Sequence, residues 1–148
     1  MIIDKLTEFC DGHTMDYETG TVLLTNQIDL GAAGNDIGNG QPVYWILRFT
    51  ASATDGGDSA TNTFRLVSDD TASIHASTST VHIQTPAFLK TEMTAGTVCV
   101  YTLPRDTRYE RYLGVNMITA TAGFDAGTVD SFLSYDPAGW KAFADASN

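Results

Sequence analysis

Three histidines, two cysteines and two acidic turns carry what reactive chemistry this sequence can offer. Cys10-x-x-His13 is half of a zinc spacing. No second half follows, and a closed zinc site takes four ligands. His75 and His82 lie seven positions apart. On a continuous strand that spacing puts them on opposite faces, which argues against one shared ion. Asp55 with Asp58, and Asp69 with Asp70, offer hard oxygen ligands on turns, the donor type calcium prefers; acidic turns are more commonly just solvated. The stretch Gly31-Ala-Ala-Gly-Asn-Asp-Ile-Gly has glycines but no lysine and no following helix, so it lacks the parts of a phosphate cradle. No Gly-x-Ser-x-Gly occurs, and no Ser/His/Asp set falls on recognisable elements. The expectation is a protein that is not an enzyme, with no catalytic, cofactor-binding or metal-binding residues.

Cations and aromatics suggest a different kind of chemistry. Arg105, Arg108 and Arg111 fall within seven positions and interleave with Tyr109 and Tyr112. Arg and Tyr are enriched at protein interfaces because both combine large contact area with directional polar ends. The bland alternative is a solvated strand end pairing locally with Asp106 and Glu110. Ile2, Ile3, Leu6 and Phe9 have loosely helical spacing, in a segment too short for a stable helix alone. They suit an arm that docks on the domain or on a neighbour. Trp140 and Phe143 stand among small polar residues in the tail and have a similar status. These eleven residues are the candidate interface positions. Tyr44, Trp45, Tyr101, Tyr109, Tyr112 and Trp140 could instead stack sugars, although the alternation puts Trp45 on a core face.

Net charge narrows the partners. The chain carries a formal charge of −10. Phosphate backbones should repel it, so nucleic acid is not an expected partner. No apolar run approaches the ~18–20 residues needed to span a membrane. The N-terminus lacks a basic flank and an uninterrupted apolar stretch, so it does not read as a signal peptide. The expected place of synthesis is a cytoplasm. Two cysteines do not announce a disulfide framework, and Cys99 reads as a small buried hydrophobe in a strand.

The elements that must position these residues read as β. The chain has 148 residues, one domain's worth, with 18% charged residues against roughly 25% in an average domain. Thr, Ser, Gly and Asn fill the gap, as suits a pleated surface with many turns. Alternation predicts a strand over 21–30 with Val22, Leu24, Ile28 and Leu30 on one face. A glycine-rich loop spans 31–41. Pro42 opens the clearest strand, with Val43, Trp45, Leu47, Phe49 and Ala51 facing the core. Further strands are expected over 61–68, around Val81 and Ile83, and over 97–103, 109–119 and 128–135. Seven or eight short strands without intervening helices read as an antiparallel β-sandwich. The expected division is an N-terminal arm over 1–17, the β domain over 18–136 and a C-terminal tail over 137–148.

Several segments carry a resemblance in order along the chain. They are Met1-Ile-Ile-Asp-Lys-Leu-Thr-Glu-Phe, Ile28-Asp-Leu-Gly, Asp36-Ile-Gly-Asn-Gly-Gln-Pro-Val-Tyr, Leu103-Pro-Arg, Arg111-Tyr-Leu-Gly-Val-Asn and Phe124-Asp-Ala-Gly-Thr-Val. Together, over Met1 to Asp136, they resemble the jelly-roll capsid cement (decoration) proteins of tailed double-stranded DNA phages. The resemblance implies a jelly roll of about eight strands. It implies a homodimer or homotrimer on the outer surface of the virion, bridging neighbouring major capsid protein subunits. It carries over no catalytic residues. The tail after Pro137 departs from the pattern. The rival reading is a carbohydrate-binding β-sandwich that mediates surface adhesion.

Overall fold

A computed structural model describes residues 5–31, 37 and 40–137. Among them is one 3-10 turn, Lys5–Thr7, and otherwise only strands. In chain order these are β1 (Glu8–Thr14), β2 (Gly20–Leu23), β3 (Ile28–Asp29), β4 (Tyr44–Thr54), β5 (Thr61–Asp69), β6 (Thr80–Gln84), β7 (Phe88–Leu89), β8 (Val98–Thr102), β9 (Tyr112–Ala120) and β10 (Ala126–Ser134). They form two antiparallel sheets, ordered β1-β10-β4-β8 and β2-β9-β5-β6, with β3 beside β9 and β7 beside β5. The chain passes from one sheet to the other at every connection except those joining β2 to β3 and β5 through β7. That wrapping is the two-sheet jelly roll.

The core lies between the sheets and follows the period-two alternation. Trp45, Leu47 and Phe49 of β4 face Phe64 and Leu66 of β5 and Leu113, Val115 and Met117 of β9. Phe49, Phe64 and Phe88 meet edge to face or tilted, with centroids 6.0–6.4 Å apart. Trp45 is wholly buried, and its indole N–H donates to Ser131 Oγ at 2.9 Å, so its one polar atom is satisfied. The face of the first sheet turned away from this core is also closed over in places. Ile46 and Phe132 are buried there, beside an Arg48–Asp130 ion pair in which Asp130 Oδ1 also accepts the Gly12 N–H at 2.7 Å.

Three expectations change. The stretch read as an arm over 1–17 supplies β1, an edge strand paired with β10, because Phe9, Cys10 and Met15 bury their side chains in the core. The strand expected over 21–30 is broken into β2 and β3. Between them the backbone leaves the ladder with β9, and Asn26 N–H donates to the carbonyl of Phe9 on β1 at 2.7 Å before the chain rejoins β9 as β3. Ala51 is exposed and Ala53 takes an inward place, because register shifts after Phe49 slip the alternation of β4.

Candidate interaction surface

Loop 103–111 carries the three arginines from β8 on one sheet to β9 on the other. Both of its ends are fixed. Leu103 is buried and its N–H donates to the Val43 carbonyl at 2.9 Å. Tyr109 is wholly buried, and its hydroxyl turns back to donate to the Pro104 carbonyl at 3.1 Å. Burial pushes that phenol up to about 12. Glu110 is tied next to it. Ser68 Oγ accepts the Glu110 N–H and donates to Glu110 Oε2, both at 3.1 Å. Thr80 Oγ1 donates to Glu110 Oε1 at 3.3 Å.

His82 completes this anchor. A register shift between Leu66 and Val67 lets one residue of β6 bulge, so Val81 turns outward while His82 turns in. The His82 ring sits 4.4 Å from the Tyr109 ring, and its Nε2 is 2.7 Å from Ser68 Oγ. Burial lowers the imidazole pKa. Ser, His and Glu thus meet in space, but in an order unlike a nucleophile relay. There the acid orients the base from its far nitrogen. Here Ser68 is the shared hub and is wholly buried. This cluster escapes sequence reading because it joins β5, β6 and the loop through a bulge.

The arginines sort into two kinds. Arg111 Nε and Nη2 donate to the two carboxylate oxygens of Asp29 at 3.0 and 2.9 Å, and its guanidinium lies 5.0 Å from the Tyr112 ring centroid. The hydrogen bond from Arg111 holds the Asp29 carboxyl below its usual range, with help from the Gly31 N–H. Arg105 and Arg108 are exposed and form no ion pair among the described residues. Between them Asp106 adopts a left-handed conformation, φ 55°. Aspartate tolerates that region better than most residues.

The other candidate residues fall as follows. Leu6, on the 3-10 turn, is 79% exposed, whereas Phe9 and Tyr109 are core. Tyr112 is half-buried under Arg111. Ile2, Ile3, Trp140 and Phe143 lie outside the described residues. Val100 and Tyr135 are large exposed hydrophobics not singled out from the sequence, at 41% and 64%. Of the aromatics considered for sugar stacking, Trp45 and Tyr109 turn their faces to the core.

The metal-like spacings are otherwise engaged. The Cys10 thiol is buried, donates to the Val129 carbonyl at 3.3 Å, and is pushed up to about 12 by burial. His13 bonds Thr25 Oγ1 through Nδ1 at 3.0 Å and stacks on Tyr17. Asp55 and Asp58 converge on the Lys90 ammonium. Asp69 accepts the N–H groups of Thr71 and His75, shaping its own turn. Among the described residues no group of three His, Cys, Asp or Glu side chains is placed to hold a metal ion. Cys99 is half-buried, in contrast to the buried position expected for it.

A model of the Bbp16 family matches residues 13–133, from β1 to β10 and so across every connection of the jelly roll. The chain belongs to the Bbp16 family. This is a family of phage proteins. No curated protein matches the chain. The family match includes loop 103–111 with Arg105, Arg108 and both of its anchors, and stops before the tail.

Proposed function

We propose that this Bbp16-family chain is a structural virion protein. It binds the outside of a phage head and stabilises it by bridging neighbouring major capsid protein subunits, as a homodimer or homotrimer. The observation that carries the reading is membership of a phage protein family by a chain whose strands close into one stiff two-sheet sandwich. A protein that bridges a seam needs a rigid scaffold and surface to share. Stable interfaces bury about 1,200–2,000 Å² in total. An oligomer touching several subunits gains effective concentration for each later contact. The role asks for no catalysis, and where Ser68, His82 and Glu110 meet the hydroxyl is buried. It asks for no cofactor, membrane or nucleic acid, in keeping with a net charge of −10. The carbohydrate reading is weakened by the burial of Trp45 and Tyr109, because an aromatic face turned to the core cannot stack on a sugar.

Co-sedimentation with heads tests it. The purified protein should pellet with expanded heads, and heads lacking it should rupture at lower temperature or milder osmotic shock. Equal survival with and without the protein, or no binding to heads, would end the proposal.

A further inference from the structure

We infer that Arg105 and Arg108 form a preorganised cationic contact that docks on a pair of surface carboxylates of the protein partner. The inference rests on the head-binding proposal and deepens it. Eight cationic side chains face eighteen acidic ones in this chain. Most of the described cations are engaged internally: Arg48 by Asp130, Lys90 by Asp55 and Asp58, Arg111 by Asp29, and Arg65 by the Gln84 amide oxygen. Arg105 and Arg108 are exposed and outside every one of these pairs, on one loop, three positions apart.

The loop is held rather than loose. Tyr109 is buried at its base, the Tyr109 hydroxyl bonds back to Pro104, and Ser68 grips Glu110 from two directions. Thr107 Oγ1 donates to the Arg105 carbonyl at 3.4 Å. A loop fixed before binding loses less conformational entropy on docking. A guanidinium fork matches a carboxylate with two parallel bonds, which gives direction as well as attraction. Phosphate would suit the fork equally, but the chain's charge repels a phosphate polymer and leaves a protein surface as the fitting partner. Arg111 belongs to the scaffold, since Asp29 already neutralises it.

The test compares the full-length protein with R105E/R108E and R111Q on expanded heads at about 50 and 200 mM salt. Thermal unfolding of each variant serves as the fold control. We expect the double reversal to keep its melting temperature and lose at least about tenfold in head affinity. Added salt should weaken wild-type binding but not that of the double reversal, because the attraction is gone and the like-charge repulsion that replaces it is itself screened. R105Q/R108Q should fall between, and R111Q should bind heads within about threefold of wild type. A folded double reversal with wild-type affinity overturns the inference and leaves head binding standing. Failure of the wild-type protein to bind heads at all overturns both. Wild-type binding to duplex DNA as tight as to heads, abolished by the double reversal, would reassign the loop to phosphate and also overturn it.

Discussion

Single residues in this fold matter most where two strands or turns leave no room. Gly127 opens β10 at φ +128°, and a methyl group there would sit 2.9 Å from the Ala53 backbone and 2.5 Å from the Met15 side chain. Backbone cannot give way as a side-chain tip can. Gly127→Ala should therefore destabilise by about 2–4 kcal/mol, combining overpacking with a backbone region L-residues avoid. Gly114 is the control. Its added methyl would meet only the ends of Ile74 and Leu23, so Gly114→Ala should cost clearly less. Urea unfolding of both variants checks this, and equal losses would contradict it. The same scale explains the arginine loop, where a buried phenol and one serine hydroxyl fix the base of an exposed pair of charges.

At the scale of elements, β1 has the most to answer for. It pairs with β10, it places Phe9 in the core, and its Gly12 N–H bonds Asp130 across 118 positions of sequence. Removing residues 1–7 leaves that strand whole and should shift the melting temperature by only a few degrees. Removing 1–14 takes away the buried side chains of Phe9 and Cys10 and bares the edge of β10, which becomes a template for pairing with other chains. That truncation should aggregate or fail to fold, as read by size-exclusion chromatography and circular dichroism. A monomeric, cooperatively folded 15–148 fragment would show that β1 is dispensable. Loss of head binding by the 1–7 deletion alone would assign contact to the segment before β1.

At the scale of the whole molecule, the titrating groups predict how stability follows pH. Burial lowers the pKa of His13 and His82 in the folded protein. The unfolded chain then binds protons first. Stability is complete above the ordinary histidine value of about 6.5 and declines as pH falls through it toward the lowered folded values. Asp29, Asp55 and Asp69 have lowered pKa values because of their hydrogen bonds: from Arg111, from the Ala60 N–H and from the Thr71 N–H respectively. Their contribution holds above the ordinary carboxyl value of about 3.9 and is lost below it. Glu8, whose carboxyl is raised by burial, opposes this trend in part. Thermal unfolding against pH should be flat between about pH 7 and 8, step down below about 6.5 and fall again below about 4; above about 8.5 it should also decline, because the unfolded thiol ionises while burial keeps Cys10 protonated. His82→Gln should shrink the first step; an unchanged step would remove His82 from the account.

Fold class was legible because alternation is a local property. The inward places of Trp45, Leu47, Phe49, Phe64, Leu66, Leu113, Val115 and Met117 follow from spacing two, whatever the strands' neighbours. The turn signal at Asp55-Gly-Gly-Asp bounded β4 and β5 in the same local way. The cationic loop could also be found as a run of residue types. Tertiary structure decided the rest. A bulge turned His82 inward, a register shift moved Ala51 out, and Arg111 found Asp29 at 82 positions' distance while Arg105 and Arg108 form no ion pair among the described residues. Register and ion pairing depend on which segments the closed sandwich brings side by side, and periodicity along one strand carries no record of that choice.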